Sequence, residues 1–289
     1  MATPTKTFLK FWGVRGSIPT PGRKTVRYGG NTACVELKFG KTHLVFDAGT
    51  GLRLLGQQLI QHRQVKLTIL LSHYHSDHLM GLPFFDPIFK ATTELNIYGA
   101  TTPLGGPCEA VKRQFSPPSF PVDFSSLHAQ IKFHSVKAKD KFSIGSIEIE
   151  AAHLNHPNQA IAYRARAGKR DVVYASDHEH DGYGDQSLIE FCANADILIY
   201  DAMYSNKTYK KGWGHSTWQE AIRVAKNAKV KRLFLFHHDP ENDDKALAQI
   251  QQAAKKQFAG ARVAKEGELI ELKIMKNKSK KREGEKTGR

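Results

Sequence analysis

The sequence has few cysteines and no long apolar run, and each absence excludes a class of protein. Its three cysteines, Cys34, Cys108 and Cys192, lie far apart and form no Cys-x-x-Cys pair. A cysteine-rich zinc module is therefore excluded, and a disulfide framework is not expected. The longest apolar segments have the length of a strand, whereas a membrane-spanning helix needs about 20 apolar residues. The N-terminus also lacks the apolar stretch of a signal peptide, so we expect a cytoplasmic protein without a membrane contact.

Acidic residues are scarce relative to basic ones. Among the 289 residues, 43 Lys and Arg stand against 28 Asp and Glu, which gives a formal net charge of +15. This excess favours an anionic partner, such as a nucleic acid, a nucleotide or a phosphoester. Residues 276–289 contain seven Lys and Arg, two Glu and no large apolar side chain. We therefore predict one folded domain over residues 1–275, followed by a disordered basic tail over residues 276–289.

Short strands and helices alternate along the rest of the chain. Nearly all-apolar strands are predicted at KLTILLS, ADILIYDA and RLFLFHH, and each ends in a polar turn that contains Gly or His. The strands come in two groups, each followed by helices. This order predicts two packed sheets with helices outside and chemistry at the strand ends. Residues 99–130 are predicted to form a long loop around one short helix, and its Pro and Phe residues could cover a ligand or anchor the loop to the core.

The 14 histidines include a cluster, HYHSDH, directly after the first of these apolar strands. It offers three imidazoles and one carboxylate within six residues, and these ligand types suit zinc, manganese or iron. His73 and His75 point to the same side if the chain leaves the strand extended. Asp77 and His78 fall on the following turn and can face a second position. The spacing therefore predicts two adjacent metal ions rather than one.

The pattern H-x-H-x-D-H after a buried strand resembles the metallo-β-lactamase superfamily, over roughly Phe8 to Ile274. Five segments occur in the order of that family, namely DAGTG, HYHSDH, HPNQAIAYR, SD and FHH. The segment HST lies between the last two, as in the ribonuclease Z-like and phosphodiesterase branch. The resemblance implies an α/β fold, the four-layer αβ/βα sandwich of two mixed β-sheets flanked by helices, and a metal-dependent hydrolase.

The resemblance also implies the remaining metal ligands. His156, which opens HPNQAIAYR, is preferred as the third His of the first metal, with His153 as its rival. Asp177 takes the bridging position, and His237 completes the ligand set of the second metal. His238 follows directly and must point away from that metal if the backbone stays extended. The implied site has His73, His75 and His156 on one metal, Asp77, His78 and His237 on the other, and Asp177 between them. We expect two zinc ions, with manganese or iron as alternatives, which lower the pKa of a shared water.

Further residues are expected around the metals. His215 in GWGHST is expected to act as a clamp or general acid, although it could instead simply precede a helix that Ser216 or Thr217 caps. Asp201 could orient His215. The expected catalytic residues are His215, Asp201 and Asp77. Asp47 in DAGTG is expected to orient a ligand His. Residues outside the metal site with an expected supporting or substrate-binding role are Asn31, Arg15, His153 and His238; the turns that carry Arg15 and Asn31 could equally be ordinary turns.

The substrate is expected to be a small anionic phosphodiester. Ribonuclease Z carries a long arm that grips tRNA between its third His and its bridging Asp, but here His156 and Asp177 are only 21 positions apart. A large structured RNA is therefore not expected, and a cyclic nucleotide, cyclic dinucleotide or cyclic phosphate is favoured. The alternatives are a carboxylic-ester, lactone or thioester hydrolase on the same metals, a nuclease that processes nucleic acid, and a nucleic-acid-binding protein without catalysis. A homodimer is left open.

Overall fold

Strands form the centre of the molecule, whose computed structural model describes residues 7–180 and 185–272. The strands within these ranges are β1 (Phe8–Gly13), β2 (Cys34–Phe39), β3 (Thr42–Phe46), β4 (Val65–Leu70), β5 (Thr93–Ala100), β6 (Gln130–Val136), β7 (Lys141–Ile144), β8 (Ile147–Leu154), β9 (Ala160–Ala167), β10 (Arg170–Ala175), β11 (Ile197–Asp201), β12 (Arg232–Phe236), β13 (Ala261–Val263) and β14 (Leu269–Glu271). The helices are α1 (Gly51–Leu59), α2 (Pro107–Gln114), α3 (Gln186–Phe191), α4 (Trp218–Asn227) and α5 (Asp244–Gln257). The basic tail predicted at 276–289 lies outside the described residues.

The strands make two seven-stranded mixed sheets. The first has the order β14-β1-β2-β3-β4-β5-β6 and the second the order β13-β12-β11-β10-β9-β8-β7. In the first sheet β3, β4, β5 and β6 are parallel to one another, and in the second β10, β11, β12 and β13 are parallel. All other neighbouring pairs are antiparallel. Parallel strands bring their carboxyl ends to one edge of a sheet, which is where ligand sites form in such folds.

The two sheets pack face to face, and helices cover their outer faces. An aromatic layer lies between the sheets. Phe46 stacks on Tyr174 at 5.1 Å between ring centroids, and the tilted rings of Phe11 and Phe234 are also 5.1 Å apart. Helices α1 and α2 pack on the first sheet, and α3, α4 and α5 on the second. Strands β4, β11 and β12 are covered on both faces, which is why their sequences are nearly all apolar. The predicted arrangement of two mixed sheets flanked by helices is confirmed.

Three strands differ from the sequence-based expectation. β5, β7 and β13 are absent from the predicted strands, and β5 extends to Ala100, inside the expected irregular loop. The segment from Ser76 to Phe89 is a series of 3₁₀ turns, because Pro83 and Pro87 lack the N–H that a continuous helix requires. Phe120 of the loop packs edge-on against Phe84 and Phe115, so this residue anchors the loop to the core.

Among the described residues, none of the helices combines the length and the hydrophobicity of a membrane-spanning segment. The expected cytoplasmic location and the oligomeric state stay predictions.

Candidate metal centre

The parallel strands of both sheets deliver polar side chains to one edge of the molecule. The residues placed there by the first sheet are Asp47 after β3 and His73, His75, Asp77 and His78 after β4. The residues placed there by the second sheet are His156 before β9, Asp177 after β10, Asp201 at the end of β11 and His237 after β12. Side chains that are far apart in the sequence therefore become neighbours at one edge of the sandwich.

Three of these residues share an unusual backbone conformation at the point where the chain leaves the strand. Asp47, Asp177 and His237 have φ values of 57°, 57° and 58°, in the left-handed region that residues other than Gly rarely adopt. Such conformations cost about 1–3 kcal/mol each and persist where the surrounding structure holds them. The backbone at His237 is therefore not extended, so the condition on which the direction of His238 was predicted is wrong. His238 nevertheless points away from the site, and its Nε2 donates to the carbonyl of Ala264 at 2.8 Å.

The first donor set consists of His73, His75, His156 and Asp177, whose ligand atoms lie within 4.8 Å of one another. The Nε2 atoms of His73 and His156 are buried and have no hydrogen-bond partner among the described residues. Burial lowers the pKa of His73 and His75 and lowers that of His156 to about 4. These imidazoles are therefore neutral at physiological pH, which is the form that binds a metal.

The second donor set consists of Asp77, His78 and His237. The Nε2 atom of His237 lies 3.2 Å from Oδ2 of Asp77 and 3.2 Å from Nε2 of His78. The edge of a tetrahedron of ligands around zinc measures about 3.3–3.6 Å, given metal–ligand distances of about 2.0–2.2 Å. The spacing of these three side chains thus suits a shared divalent ion.

Asp177 faces both donor sets. Its Oδ1 lies 3.3 Å from Nε2 of His78 and 3.3 Å from Nε2 of His237, while its Oδ2 lies 3.6 Å from Nε2 of His73. Burial alone would raise the pKa of Asp177, but the surrounding imidazoles, His237 first, outweigh it and hold the pKa well below its usual value. An anionic carboxylate with one oxygen toward each set has the geometry of a bridging ligand, and the donors fit a pair of divalent ions.

Asp47 holds His78 from behind. Its Oδ2 accepts hydrogen bonds from Nδ1 of His78 at 2.7 Å, the hydroxyl of Tyr174 at 2.7 Å and the hydroxyl of Ser72 at 2.8 Å. A carboxylate on Nδ1 selects the tautomer that presents Nε2 to a metal and raises the basicity of the ring. The structure thus brings Asp47 to the place that the sequence predicted for it. The contacts of Tyr174 and Ser72 with Asp47 were not predicted, because in the sequence these two look like ordinary strand and turn residues.

His215 borders both donor sets. Its Nδ1 is bonded to Oδ2 of Asp201 at 2.9 Å, and its ring stacks on that of His237 at 4.9 Å. Burial alone would lower the pKa of His215, but Asp201 and Asp177 outweigh it and raise the pKa to about 9; divalent ions bound beside it would oppose this effect. The hydroxyl of Thr217 caps α4, so His215 takes no part in capping.

The structure does not bring Arg15, Asn31 or His153 to the donor sets. Arg15 is fully buried, and its guanidinium donates to the carbonyls of Gly29 and Asn242 at 2.8 and 2.6 Å. The expected contact of Arg15 with an anionic substrate is therefore wrong for this side chain. The amide of Asn31 donates to Glu266 at 2.7 Å, and His153 is exposed on β8.

The loop that carries Arg15 contacts two of the candidate metal ligands. The backbone N–H of Ser17 donates to Oδ2 of Asp77 at 2.7 Å. Gly16 lies against the ring of His237, and a Cβ atom added to it would be 2.4 Å from Nδ1. The glycine thus leaves room for a ligand ring, which the sequence pattern GVRGSIP did not reveal.

Two further features were missed by the sequence analysis. The carboxylate of Glu179 accepts from the N–H groups of Gly212 and Gly214 at 2.6 and 2.8 Å, and so anchors the segment before His215. A cavity of about 490 Å³ lies beside His75, and the residues around it include Tyr74, Leu104, Arg113 and Asn158. Nothing in the local sequence marks these residues as partners, because tertiary contacts alone bring them together.

Residues 42–238 match the family model of the beta-lactamase superfamily domain. The chain belongs to the metallo-β-lactamase superfamily. The resemblance based on HYHSDH is therefore confirmed, and so is the predicted class of metal-dependent hydrolase.

Individual members of the superfamily resemble the chain over most of its length. Ribonuclease Z of Thermoplasma acidophilum is 24% identical over an alignment of 323 residues, which covers 92% of this chain and 97% of that protein. Among solved structures, the metallo-beta-lactamase fold protein YhfI of Bacillus subtilis has a TM-score of 0.69 at 24% identity and covers 92% of this chain and 99% of its own. The short form of human tRNase Z has a TM-score of 0.66 at 20% identity, with coverages of 92% and 100%.

Proposed function

We propose that the protein is a dinuclear phosphodiesterase that hydrolyses a small nucleotide-type phosphodiester, such as a cyclic nucleotide, cyclic dinucleotide or cyclic phosphate. One observation carries this proposal: Asp177 joins two His-rich donor sets, and the His215–Asp201 pair stands beside both. Two bound divalent ions, with zinc as the first choice, would supply Lewis acidity and lower the pKa of water. His73, His75 and His156 would hold one ion, Asp77, His78 and His237 the other, and Asp177 both.

His215 is assigned the role of hydrogen-bond or proton donor to the substrate. Asp201 accepts from its Nδ1, which leaves Nε2 available to an oxygen of the phosphate or of the leaving group. The ring is 8% exposed and lies 4.9 Å from that of His237 and 6.2 Å from that of His156. A donor fixed at this position stabilises negative charge that develops during phosphoryl transfer.

The connection between His156 and Asp177 supports a small substrate. It consists of the antiparallel hairpin of β9 and β10, in which Ala167 pairs with Arg170 across a two-residue turn. This span has no room for the tRNA-gripping arm of ribonuclease Z. The alignment with the Thermoplasma relative is also longer than the 289 residues of this chain, so that relative contains residues without a counterpart here. The 490 Å³ cavity beside His75 is within the usual range for small ligands.

A substrate panel tests the reaction class. The metal-loaded enzyme is assayed on bis-p-nitrophenyl phosphate, cyclic mono- and dinucleotides, lactones, thioesters and a tRNA precursor. We expect turnover on the small phosphodiesters. Turnover restricted to lactones or thioesters would contradict the phosphodiester proposal. Selective removal of the tRNA 3′ trailer would instead favour the nuclease alternative that the relatives named ribonuclease Z suggest.

The variant His215→Ala tests the proposed donor. We expect kcat on bis-p-nitrophenyl phosphate to fall about 10²- to 10⁴-fold, the usual contribution of general acid–base catalysis. The metal content measured by mass spectrometry should stay at the wild-type value, because the donor sets remain. His153→Ala, an exposed histidine on β8, is the matched control and should match the wild type in both measurements. Loss of metal from His215→Ala would assign this residue to metal binding.

A further inference from the structure

A basic and aromatic segment, Lys207–Trp213, precedes His215. Its three lysines are exposed, and the side chain of Trp213 is 62% exposed. The other two tryptophans of the chain, Trp12 and Trp218, are buried at 8% and 9% exposure. A single exposed apolar residue is common on protein surfaces, but Trp213 lies among three exposed lysines, and an aromatic ring beside cationic side chains is typical of surfaces that bind nucleotides.

The segment is held in place rather than free. The carboxylate of Glu179, itself only 9% exposed, accepts hydrogen bonds from the N–H of Gly212, the N–H of Gly214 and the hydroxyl of Tyr209, at 2.6, 2.8 and 3.2 Å. The two backbone hydrogen bonds fix the chain on both sides of Trp213. A fixed backbone leaves less conformational entropy to lose when a ligand binds to the ring.

The segment is also continuous with the metal centre. Gly214, with φ of +81°, lies so close to His156 that an added Cβ would be 2.6 Å from its ring. The Nζ of Lys210 lies 4.5 Å from the ring centroid of Trp213 and 5.8 Å from that of Tyr204. The ring of Tyr204 lies 6.0 Å from that of His215. An unbroken row of side chains therefore leads from Trp213 to His215.

We propose that the Lys207–Trp213 segment is a nucleotide-binding platform, on which Trp213 stacks a nucleobase of the substrate while Lys210 and Lys211 attract the adjoining phosphate. The proposal rests on the proposed phosphodiesterase function, because it places the scissile phosphate at the donor sets. An aromatic ring interleaved with lysines matches the alternation of base and phosphate in a nucleotide chain. A lactone or a cyclic phosphate without a base would use neither group. The platform thus selects phosphodiesters that carry a nucleoside and a further phosphate, such as dinucleotides.

The cavity beside His75 is the competing place for a base. It contains Leu104, whose side chain is 75% exposed, and Arg113. The guanidinium of Arg113 already donates to the carbonyl of Leu104 at 3.1 Å, whereas the platform offers three lysines and a tryptophan. Leu104→Ala is therefore the matched control for Trp213→Ala, since both remove an exposed apolar side chain near the same metals.

Kinetics on paired substrates test the platform. Thymidine 5′- and 3′-(p-nitrophenyl phosphate) share the leaving group of methyl p-nitrophenyl phosphate and differ by the nucleoside. We expect Trp213→Ala to lower kcat/KM for at least one nucleoside ester about 5- to 150-fold more than for the methyl ester, which is the usual contribution of base stacking. Trp213→Phe should restore part of the difference. Equal losses on all substrates, or a nucleoside-specific loss in Leu104→Ala instead, would overturn the platform.

Binding provides a readout that does not depend on turnover. A 5′-phosphorylated thymidine dinucleotide with a phosphorothioate linkage should quench tryptophan fluorescence in the wild type, and the quenching should disappear in Trp213→Phe. Lys210→Ala combined with Lys211→Ala should weaken binding and flatten its salt dependence. Lys255→Ala combined with Lys256→Ala, in exposed positions of α5, removes the same charge and should have no effect.

The two readouts separate the platform from the proposed function. Trp213-dependent quenching by an enzyme that hydrolyses no phosphodiester would retain the platform and contradict the phosphodiesterase. Turnover of the methyl ester, without quenching and without any nucleoside-specific loss in Trp213→Ala, would retain the phosphodiesterase and overturn the platform.

Discussion

The two sheets contribute to the metal centre in different ways. The first sheet supplies four donors within the six residues His73–His78, directly after one strand. The second supplies single donors from separate connections, namely His156 before β9, Asp177 after β10 and His237 after β12. One half of the site is therefore a local motif, while the other half exists only when three strands have assembled.

Each donor set nevertheless draws on both sheets. The first set combines His73 and His75 with His156, and the second combines Asp77 and His78 with His237. Asp177 touches both sets, and Asp47 of the first sheet is bonded to Tyr174 of the second. Whether the local motif holds two ions therefore depends on the dispersed residues.

Asp177→Ala should have the largest effect, because it removes the carboxylate that faces both donor sets. We expect metal affinity at both sets to fall by more than the roughly 100-fold typical of losing an outer partner, and turnover to be lost with it. Metal content by mass spectrometry and kcat on bis-p-nitrophenyl phosphate check this. Asp86→Ala, an exposed aspartate in the turns after HYHSDH, is the control. Two retained ions in Asp177→Ala would show that the sets do not depend on a common ligand.

Asp47→Asn should have an intermediate and one-sided effect. The amide keeps the size of the carboxylate but has no charge and a single acceptor oxygen, whereas Asp47 accepts from His78, Tyr174 and the Ser72 hydroxyl on Oδ2 and from the Ser72 N–H on Oδ1. We expect affinity at the second set to fall about 10- to 100-fold, as for other partners of ligating histidines, and the metal count to drop toward one per chain.

Asp201→Asn is the matched control for Asp47→Asn, because the carboxylate of Asp201 accepts a hydrogen bond from Nδ1 of His215 as that of Asp47 does from Nδ1 of His78. It should lower turnover and leave both ions in place. Loss of both ions from Asp47→Asn would argue against a separate second set.

Two glycine variants should have the smallest effects and should separate the donor sets. Gly16→Ala places a Cβ 2.4 Å from the ring of His237, and Gly214→Ala places one 2.6 Å from the ring of His156. Overpacking of this kind costs about 1–3 kcal/mol, so we expect weaker binding at the second set in the first variant and at the first set in the other. Metal titration with a chromogenic competitor checks the order of loss.

Gly267→Ala controls for backbone strain. Gly267 has the same φ of +81° as Gly214 but has no atom within 4 Å of an added Cβ. It should leave metal binding unchanged. If it weakens binding as much as Gly214→Ala does, the effect of Gly214 comes from its backbone and not from contact with His156.

Sequence reasoning found the local half of the site and the strands that carry it. HYHSDH stands out because ligand types at short spacing after an apolar strand need no partner elsewhere in the chain. It did not find β5, in which buried residues alternate with half-buried ones, or the short β7, which has no fully buried residue. It expected Arg15 near the substrate because a basic residue in a Gly- and Pro-rich turn looks exposed, whereas backbone carbonyls of distant turns enclose this guanidinium.

The chain's local pattern already shows which groups are available as ligands and that they follow buried strands, because apolar runs and polar turns are local properties. Which atoms meet depends on the folded arrangement. The left-handed turns at Asp177 and His237 and the contact of Asp47 with Tyr174 depend on the packing of one sheet on the other. Trp213 is likewise held by a residue distant in the sequence, because Glu179, after β10, accepts from the N–H groups of Gly212 and Gly214, after β11. Such contacts form only in the folded chain, and no short stretch of sequence encodes them.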